Sequence, residues 1–331
     1  MKLAFLAFTE QGERLAARLA AALGGSVQRC GGNCSLEAWT AAHFPKNDGL
    51  IYVGAAGIAV RAIAPYLKSK TTDPAVVVVD ECARYAIPIL SGHLGGANDL
   101  ARAIGRVCGA LPVLTTATDV NSVFAVDEWA KRQNCLVLNP ERIKTVSAKL
   151  LAGGTVTVQS SWPIAGQPPR NVCQTEDRGA DVLLDIHPGT GEKLHLVPRI
   201  AVLGVGCKKN VSFQMLETAL ATFLDRTGVC EQAISAVASI DLKKNEPGLL
   251  DLCAAHGWPL KTYPAEQLRA VEGQFTPSAF VQGVTGVDNV CERSAVLASG
   301  GTLCQGKTAG DGITMALALT PYQPTWRWQD E

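Results

Sequence analysis

The sequence has no excess of charge of either sign, since Lys and Arg together number 30 and Asp and Glu together also number 30 among 331 residues. Proteins that bind nucleic acid through its phosphates normally carry an excess of basic residues. The balance therefore argues against a nucleic-acid partner. It is compatible with an anionic small molecule, because a neutral protein can still concentrate its lysines on one face.

The sequence also lacks any apolar stretch of about 18 residues, so it predicts no membrane-spanning helix and no membrane partner. The apolar run after Lys2 ends at Thr9 and Glu10, which is too short for the core of a secretion signal. We interpret this run as a first strand that leads into a helix, and we expect a cytoplasmic protein.

The eleven cysteines lack the pairing that a zinc site or a disulfide scaffold would need. Their number is odd and they are scattered, and the C-x3-C spacing of Cys30 and Cys34 has no second pair to complete a zinc site. We interpret them as reduced thiols, which is typical of the cytoplasm.

Short apolar strands alternate with helical patterns through the first part of the chain, and this alternation predicts an α/β fold with mainly parallel sheets. The predicted strands are Leu3–Phe8, Leu50–Val53, Val76–Val79, Ile87–Leu90 and Val113–Thr115. The predicted helices are Glu13–Leu23, Gly57–Leu67 and Ala97–Val107. Ligands of such sheets bind beyond the carboxyl ends of the strands.

Changes in composition divide the chain into three predicted parts. Residues 1–133 form an N-terminal α/β domain, residues 134–199 form a small β-containing module or linker, and residues 200–331 form a second α/β domain. The middle part contains a predicted β-hairpin around Pro188–Gly191. The fold class is thus two α/β lobes joined by a small module.

His93 lies in the stretch SGHLGGAN, between a predicted strand and a predicted helix. Glycines let the backbone turn sharply and approach a ligand, and the free N–H groups of a helix start face the same space. A histidine in such a place suits a general base near neutral pH. The alternative is a histidine that caps the helix or bonds a loop carbonyl.

Asp80 and Glu81 end a four-valine strand, where a carboxylate is well placed for acid–base work or for orienting a histidine. Solvated loop charges are the alternative.

Two further turns follow predicted strands in the N-terminal part. Gly54 and Arg61 belong to a small-residue turn that opens a helix and suits an anion, although the nucleotide motif G-x-G-x-x-G is incomplete. Tight packing of the strand and helix explains the glycines almost as well. Thr115, Thr116 and Thr118 offer hydroxyls to a polar ligand, with a helix N-cap as the simpler alternative.

The C-terminal part places polar residues after its own strands. Two Lys-Lys pairs, Lys208–Lys209 and Lys243–Lys244, fall at neighbouring strand ends and would form a positive rim for a substrate with several carboxylates, unless they only aid solubility. Glu292 lies in the first turns of a helix, where it also suits the helix dipole. Lys307 follows the strand predicted after this helix.

In combination these stretches resemble the cobalt-precorrin-5A hydrolases of the anaerobic, early-cobalt route to vitamin B12. In the N-terminal part the resemblance rests on Gly54–Pro65, Lys70–Glu81, Ser91–Asn98 and Thr115–Asp119. In the C-terminal part it rests on the stretches GVGCKK, ASIDLKKNEPGLL and FVQGVTGVDNVCE and on Lys307. It covers nearly the whole chain in the expected order, and only the middle part matches loosely.

The resemblance implies a corrinoid substrate, cobalt-precorrin-5A, whose δ-lactone joins the ring A acetate to the extruded carbon. The enzyme would hydrolyse that lactone, release the extruded carbon and its methyl group as acetaldehyde, and yield cobalt-precorrin-5B. This makes it a hydrolase acting on carbon–carbon bonds. The cobalt arrives inside the substrate, so no cofactor and no metal site built by the protein are expected.

The resemblance and the residue chemistry together give predicted roles. His93 is the expected base, oriented by Asp80 or Glu81. The residues expected to bind the substrate are Gly54, Arg61, Ser91, Gly95, Gly96, Asn98, Thr115, Thr116, Thr118, Lys208, Lys209, Lys243, Lys244, Glu292 and Lys307. Transient contacts with other enzymes of the pathway are expected. The main alternative is a non-catalytic tetrapyrrole carrier, and a nucleotide-dependent enzyme is a third.

Overall fold

The computed structural model describes residues 1–69, 72–177, 179–189 and 191–328. The first two residues of the Lys70–Glu81 stretch, and Thr190 of the predicted hairpin, lie outside these ranges. The chain divides into two compact units, Met1–Glu128 and Trp129–Glu331. The domain limits predicted near residues 133 and 199 stay predictions.

The first unit is built on a six-stranded sheet in the order β2-β1-β3-β4-β5-β6. Its strands are β1 (Leu3–Ala7), β2 (Ser26–Arg29), β3 (Gly49–Val53), β4 (Ala75–Val79), β5 (Tyr85–Leu90) and β6 (Leu111–Pro112). Its helices are α1 (Glu10–Leu23), α2 (Leu36–His43), α3 (Ala56–Ile63), α4 (Ala97–Cys108), α5 (Ala117–Val120) and α6 (Val126–Arg132), which contains the boundary between the units.

The central strands of this sheet are buried on both faces. Every residue of β1, β3 and β4 is buried, and their runs of Val, Leu, Ile and Ala are typical of a parallel sheet covered by helices on both sides. α1 and α4 contribute to the core on one face, and α2 and α3 to the core on the other. The apolar runs thus predicted the α/β class correctly.

One strand reverses direction, and this reversal decides where the loops lie. β4 and β5 pair antiparallel, whereas β5 and β6 pair parallel. The carboxyl ends of β5 and β6 therefore lie at the edge of the sheet opposite to those of β1, β3 and β4. Six residues of β5, at about 3.3 Å each, separate the two edges by about 20 Å.

The second unit contains two five-stranded sheets, of which the first has the order β7-β11-β10-β8-β9. It comprises β7 (Cys135–Val137), β8 (Val156–Ser160), β9 (Val172–Thr175), β10 (Val182–Leu184) and β11 (Leu194–Pro198), with the helix α7 (Ile143–Leu151).

The predicted hairpin around Pro188–Gly191 is wrong, because β10 and β11 pair parallel. Residues 185–193 join the two strands, and nine residues reach about 30 Å, enough to bring the chain back along a three-residue strand. Both strands are buried along their whole length, which suits a parallel arrangement better than a half-exposed hairpin.

The other sheet of this unit has the order β14-β13-β12-β16-β15. Its strands are β12 (Ala201–Cys207), β13 (Ile234–Ile240), β14 (Leu260–Tyr263), β15 (Thr302–Gly310) and β16 (Ile313–Leu319). Its helices are α8 (Phe213–Thr227), α9 (Pro247–His256), α10 (Ala265–Arg269), α11 (Ala279–Thr285) and α12 (Cys291–Ser299). β12, β13 and β14 run parallel, and β15 and β16 are antiparallel additions.

Most predicted elements are present, with two differences in the first unit. The last predicted strand, Val113–Thr115, is wrong by two residues, because the chain pairs with β5 at Leu111–Pro112. The strand β2 and the helices α2, α5 and α6 were not predicted; β2 is largely exposed and carries no apolar run, and the three helices are short. No helix among the described residues is long and apolar enough to cross a membrane.

Candidate active site

The loop between β5 and α4 presents His93 on a sharply bent backbone. Ser91 has a φ of 55°, and Gly96, which precedes the first turn of α4, has a φ of 85°. A Cβ atom on Gly95 would lie only 2.3 Å from the Cβ of Ser91, so this position admits only glycine. The small residues around the histidine are therefore required by the bend itself.

His93 is enclosed by three carboxylates, and its side chain is only 13% exposed. Its Nε2 lies 3.0 Å from Asp119 Oδ2 and 3.7 Å from Glu128 Oε1. Its Nδ1 lies 3.2 Å from Asp127 Oδ2. The Thr118 hydroxyl is 3.5 Å from Nε2. Both ring nitrogens therefore face carboxylate oxygens.

Asp119 is the most heavily hydrogen-bonded member of this cluster. Its Oδ2 accepts from Asn98 Nδ2 at 2.9 Å and from the Thr116 hydroxyl, and its Oδ1 accepts from Arg102 at 2.8 Å. Asn98 is almost fully buried at the start of α4. The predicted residues Asn98, Thr116 and Thr118 thus meet His93 at one edge of the sheet.

The topology explains why these segments meet. His93 follows β5 and Asp119 follows β6, and these two strands are parallel neighbours whose carboxyl ends share one edge. Asp127 and Glu128 lie in the first turn of α6, where acidic side chains are favoured by the helix dipole.

The cluster shifts the pKa values of its members strongly. Burial lowers the pKa of His93, but hydrogen bonds to Asp119 and Asp127 outweigh burial and raise that pKa to about 10. Burial raises the pKa of Asp119, but hydrogen bonds from His93 and Thr116 lower it to about 2. Burial raises the pKa of Glu128 to about 7, and the nearby charge of Asp119 adds to this. At neutral pH His93 is an imidazolium ion.

This arrangement combines a proton donor with a group that titrates near neutrality. A buried imidazolium can donate hydrogen bonds to developing negative charge, and a carboxyl with a pKa of about 7 can exchange a proton with water. Shifted pKa values in one small cluster are typical of active sites.

Asp80 and Glu81 do not contact His93, so the expectation that one of them orients it is wrong. They follow β4, whose carboxyl end lies at the opposite edge of the sheet. Asp80 accepts hydrogen bonds from the backbone N–H groups of Cys82, Arg84 and Tyr85 and so closes the turn into β5. Glu81 accepts from the Thr9 hydroxyl at 2.6 Å. A catalytic role for either stays a prediction.

Three other predicted ligands of the first unit form no hydrogen bond with the cluster in the part of the chain that the structure describes. Gly54 follows β3, and a Cβ atom there would lie 2.6 Å from the ring of Phe8, so packing alone explains this glycine. Arg61 is exposed on α3, and Thr115 is exposed before α5. Their roles in binding stay predictions.

The predicted lysines of the second unit follow two adjacent parallel strands, β12 and β13. Lys208, Lys209 and Lys244 are exposed. Lys243 is half-buried, and its Nζ donates to Glu246 Oε2 at 2.8 Å. Its charge is therefore already paired, and three exposed lysines remain for an anionic ligand.

Glu292 is almost fully buried at the start of α12 and is held by four hydrogen bonds. It accepts from the backbone and hydroxyl of Thr276, from Asn289 Nδ2 and from the backbone N–H of Lys307 at 2.6 Å. The carboxylate thereby fixes the backbone that carries Lys307. Its contacts are those of a structural residue.

Sequence reasoning did not include Asp119, Asp127 or Glu128 among the site residues. Asp119 ends the stretch TTATD, which entered only through the family resemblance. Asp127 and Glu128 form a second acidic pair, in AVDEW, that resembles ordinary first-turn helix residues. The available signal was a strand-end histidine with one acidic residue, Asp119, and one acidic pair, Asp127 and Glu128, in the segments that follow the next strand.

Comparisons with known proteins agree with the motifs. Family models described as Cobalamin synthesis G N-terminal and Cobalamin synthesis G C-terminus match residues 38–119 and 201–318. A Cobalt-precorrin-5A hydrolase of Salmonella typhimurium is 36% identical over 83% of this chain and 83% of its own. A Cobalt-precorrin-5A hydrolase of Priestia megaterium is 33% identical over 84% of this chain and 80% of its own.

Among solved structures, a cobalamin biosynthesis protein G homologue from Sulfolobus solfataricus is 22% identical over 97% of both chains, with a TM-score of 0.42. The relatives that match in sequence carry the name of a hydrolase and not of a carrier. On the strength of these sequence matches over most of its length, the chain belongs to the family of cobalt-precorrin-5A hydrolases.

Proposed function

We propose that the protein hydrolyses the δ-lactone of cobalt-precorrin-5A and releases the extruded carbon with its methyl group as acetaldehyde, giving cobalt-precorrin-5B. The observation that carries this proposal is the enclosure of His93 by Asp119, Asp127 and Glu128 beyond the carboxyl ends of β5 and β6. Membership of the hydrolase family supports the choice of substrate.

The reaction has two steps. Water adds to the lactone carbonyl, the bond between the acyl carbon and the ring oxygen breaks, and an acetate side chain and a hydroxyl group on the extruded carbon result. That hydroxyl then loses its proton, its oxygen forms the carbonyl of acetaldehyde, and the carbon–carbon bond to the macrocycle breaks. The macrocycle takes up a proton, so the overall change consumes one molecule of water.

The cluster offers groups for both steps. His93 carries a proton at neutral pH and can stabilise the oxyanion of the opened carbonyl by donating a hydrogen bond. Glu128, with a pKa of about 7, can accept a proton from water or from the freed hydroxyl. The base that the sequence assigned to His93 is thus better assigned to Glu128.

Substrate binding is proposed to involve hydroxyls, loop N–H groups and lysines. The Thr116 and Thr118 hydroxyls and the loop N–H groups near Gly95 and Gly96 would contact the reacting ester. The exposed Lys208, Lys209 and Lys244 would neutralise peripheral carboxylates of the macrocycle. We further propose that the protein works in the cytoplasm and makes transient contacts with other enzymes of the pathway.

The test is an acetaldehyde assay with purified protein and cobalt-precorrin-5A. We expect His93→Ala to lower the rate of acetaldehyde release by about 10²–10⁴-fold, because it removes the proton donor. The matched control is His256→Gln, since His256 also lies between two carboxylates, at 2.7 and 3.0 Å, but in another part of the chain.

Wild-type protein that binds the substrate without releasing acetaldehyde would support the carrier alternative. If His93→Ala releases acetaldehyde at the wild-type rate, the cluster is not the reaction centre. Equal losses in both histidine variants would indicate a general effect on folding, and circular dichroism of each variant identifies that outcome.

A further inference from the structure

The oxygen and nitrogen atoms that face each other in the His93 cluster are spaced like the ligands of one metal ion. His93 Nε2, one Asp119 oxygen and one Glu128 oxygen all lie within 4.8 Å of one another. A first-row ion binds such atoms at about 2.0–2.2 Å, which places neighbouring ligands about 3.0–3.6 Å apart. The separation from Nε2 to Asp119, 3.0 Å, lies within this range, and the separation to Glu128, 3.7 Å, lies just beyond it.

The surroundings of these atoms are those that metal ligands commonly have. Asp127 Oδ2 lies 3.2 Å from His93 Nδ1 and so fixes the orientation of the imidazole ring. The other ring nitrogen, Nε2, then faces Asp119 and Glu128. Arg102 holds Oδ1 of Asp119, and Asn98 holds its Oδ2 in place. Two of the three ligands are thus already oriented.

Glu128 gives an independent sign that a partner belongs here. Its side chain is only 8% exposed, yet its carboxylate accepts no hydrogen bond from any residue that the structure describes. Its ion-pair partner is His93 Nε2, at 3.7 Å, which is too long for a hydrogen bond. A buried carboxylate is costly unless it is paired, hydrogen-bonded or bound to a metal ion. The first-turn position on α6 aims it at the same point as Asp119.

The charges of the cluster are consistent with a divalent cation. Asp119, Asp127 and Glu128 supply up to three negative charges, and Arg102 supplies one positive charge. A neutral His93 and a divalent ion would bring this group to neutrality. In the described part of the chain, no other group of three such side chains has its ligand atoms close enough to hold an ion.

We propose that His93 Nε2, Asp119 Oδ2 and Glu128 Oε1 bind a divalent transition-metal ion, with Asp127 orienting the histidine. One nitrogen and two carboxylate oxygens suit Zn²⁺, Co²⁺ or Mn²⁺, whereas Mg²⁺ and Ca²⁺ prefer oxygen ligands alone. Three protein ligands leave a position open for water. The proposal departs from the sequence-based expectation that the protein builds no metal site.

Binding of this ion does not depend on the reaction proposed above. If both proposals hold, a bound ion would take the place of the proton on His93 as the positive charge near the oxyanion and would activate a water molecule, and Glu128 would then serve as a ligand and not as the base.

The experiment titrates the full chain, first stripped with a chelator, with Co²⁺ and records visible absorption and calorimetric heats. Cobalt is the probe because the protein has eleven free cysteines, and thiolate ligands would reveal themselves by intense near-ultraviolet charge-transfer bands. We expect one equivalent to bind without those bands. Glu128→Gln and Asp127→Asn should each weaken binding by about 10–100-fold. Glu128→Gln keeps the size of the side chain and removes only a ligand charge.

His256→Gln is the matched control, because the two carboxylates beside His256 flank opposite ring nitrogens and do not converge on one point. It should bind Co²⁺ as wild type does. The proposal is overturned if wild type binds less than one equivalent, if binding shows thiolate bands, or if Glu128→Gln binds with unchanged affinity. Acetaldehyde release by such a protein would leave the proposed function intact, whereas tight binding without acetaldehyde release would refute only the proposed function.

Discussion

Each unit of the chain buries a glutamate near the beginning of a helix, and the two glutamates have opposite surroundings. Glu292 in the second unit accepts hydrogen bonds from two backbone N–H groups, a hydroxyl and an amide. Glu128 in the first unit accepts none from the described residues and faces His93 instead.

The difference in hydrogen bonding distinguishes Glu292, a structural carboxylate, from Glu128, a candidate reactive one. Four hydrogen bonds hold the carboxylate of Glu292 and tie three segments together, so its environment is complete. Glu128 is buried without such support, and burial raises its pKa to about 7. A buried acid whose surroundings are incomplete is therefore the better candidate for chemistry or for a ligand.

The largest effect expected from this comparison is on stability. Glu292→Gln places an amide N–H against backbone N–H donors, so it should lower the free energy of unfolding by about 3 kcal/mol. Glu128→Gln removes no hydrogen bond and relieves repulsion with Asp119, so it should change that free energy by less than about 1 kcal/mol. Urea denaturation of both variants measures this, and equal losses would contradict the distinction.

A smaller effect is expected from two glycines of the first unit. Gly95→Ala puts a Cβ atom 2.3 Å from the Cβ of Ser91, so it should cost about 1–3 kcal/mol and displace His93. Gly57→Ala in α3 meets no atom within 4 Å and should stabilise the helix by about 0.5 kcal/mol.

Thermal denaturation of the two glycine variants, together with their rates of acetaldehyde release, checks this prediction. Only Gly95→Ala should lose activity. If it folds stably and keeps the wild-type rate, the shape of the bend is not what positions the histidine.

The smallest effect concerns His256 and its dependence on pH. Burial lowers the pKa of His256, but hydrogen bonds to Glu217 and Glu231 outweigh burial and raise it above 6.5. A raised folded-state pKa contributes stability that is fully present below pH 6.5 and is lost as pH rises through the folded value. Both glutamates are more than 40% exposed, so this contribution is about 0.5 kcal/mol.

Denaturation of wild type and His256→Gln at pH 6 and at pH 9 measures the contribution of this pair. The variant should be less stable than wild type at pH 6 and equally stable at pH 9. A difference that persists at pH 9 would show that stacking on Trp258, and not charge, is what His256 provides.

The class of the fold followed from periodicity, because buried strands such as Val76–Val79 and helices such as Ala97–Val107 carry distinct apolar spacings. The bend around His93 was recognised from its glycines. The direction of a strand has no such signal in the sequence, because a buried apolar run has the same composition whether it pairs parallel or antiparallel. That is why the reversal of β5, which removes Asp80 and Glu81 from His93, was not predicted.

The rest of the cluster was hidden for a related reason. Glu128 lies 35 positions after His93, and nothing local in AVDEW distinguishes it from a helix-start acid. Its role depends on tertiary burial, which only the packed structure reveals. The parallel pairing of β10 and β11 was missed for the same reason. Pro and Gly residues indicate that a strand ends, but they do not determine whether the next strand pairs parallel or antiparallel.

The tight turn from Asp80 to Tyr85 has a practical consequence for those who wish to label this protein. It is closed by the aspartate, exposes Cys82 to solvent, and stands a full strand length away from the histidine. A fluorophore attached to that thiol would report on events at the edge of the sheet opposite to His93.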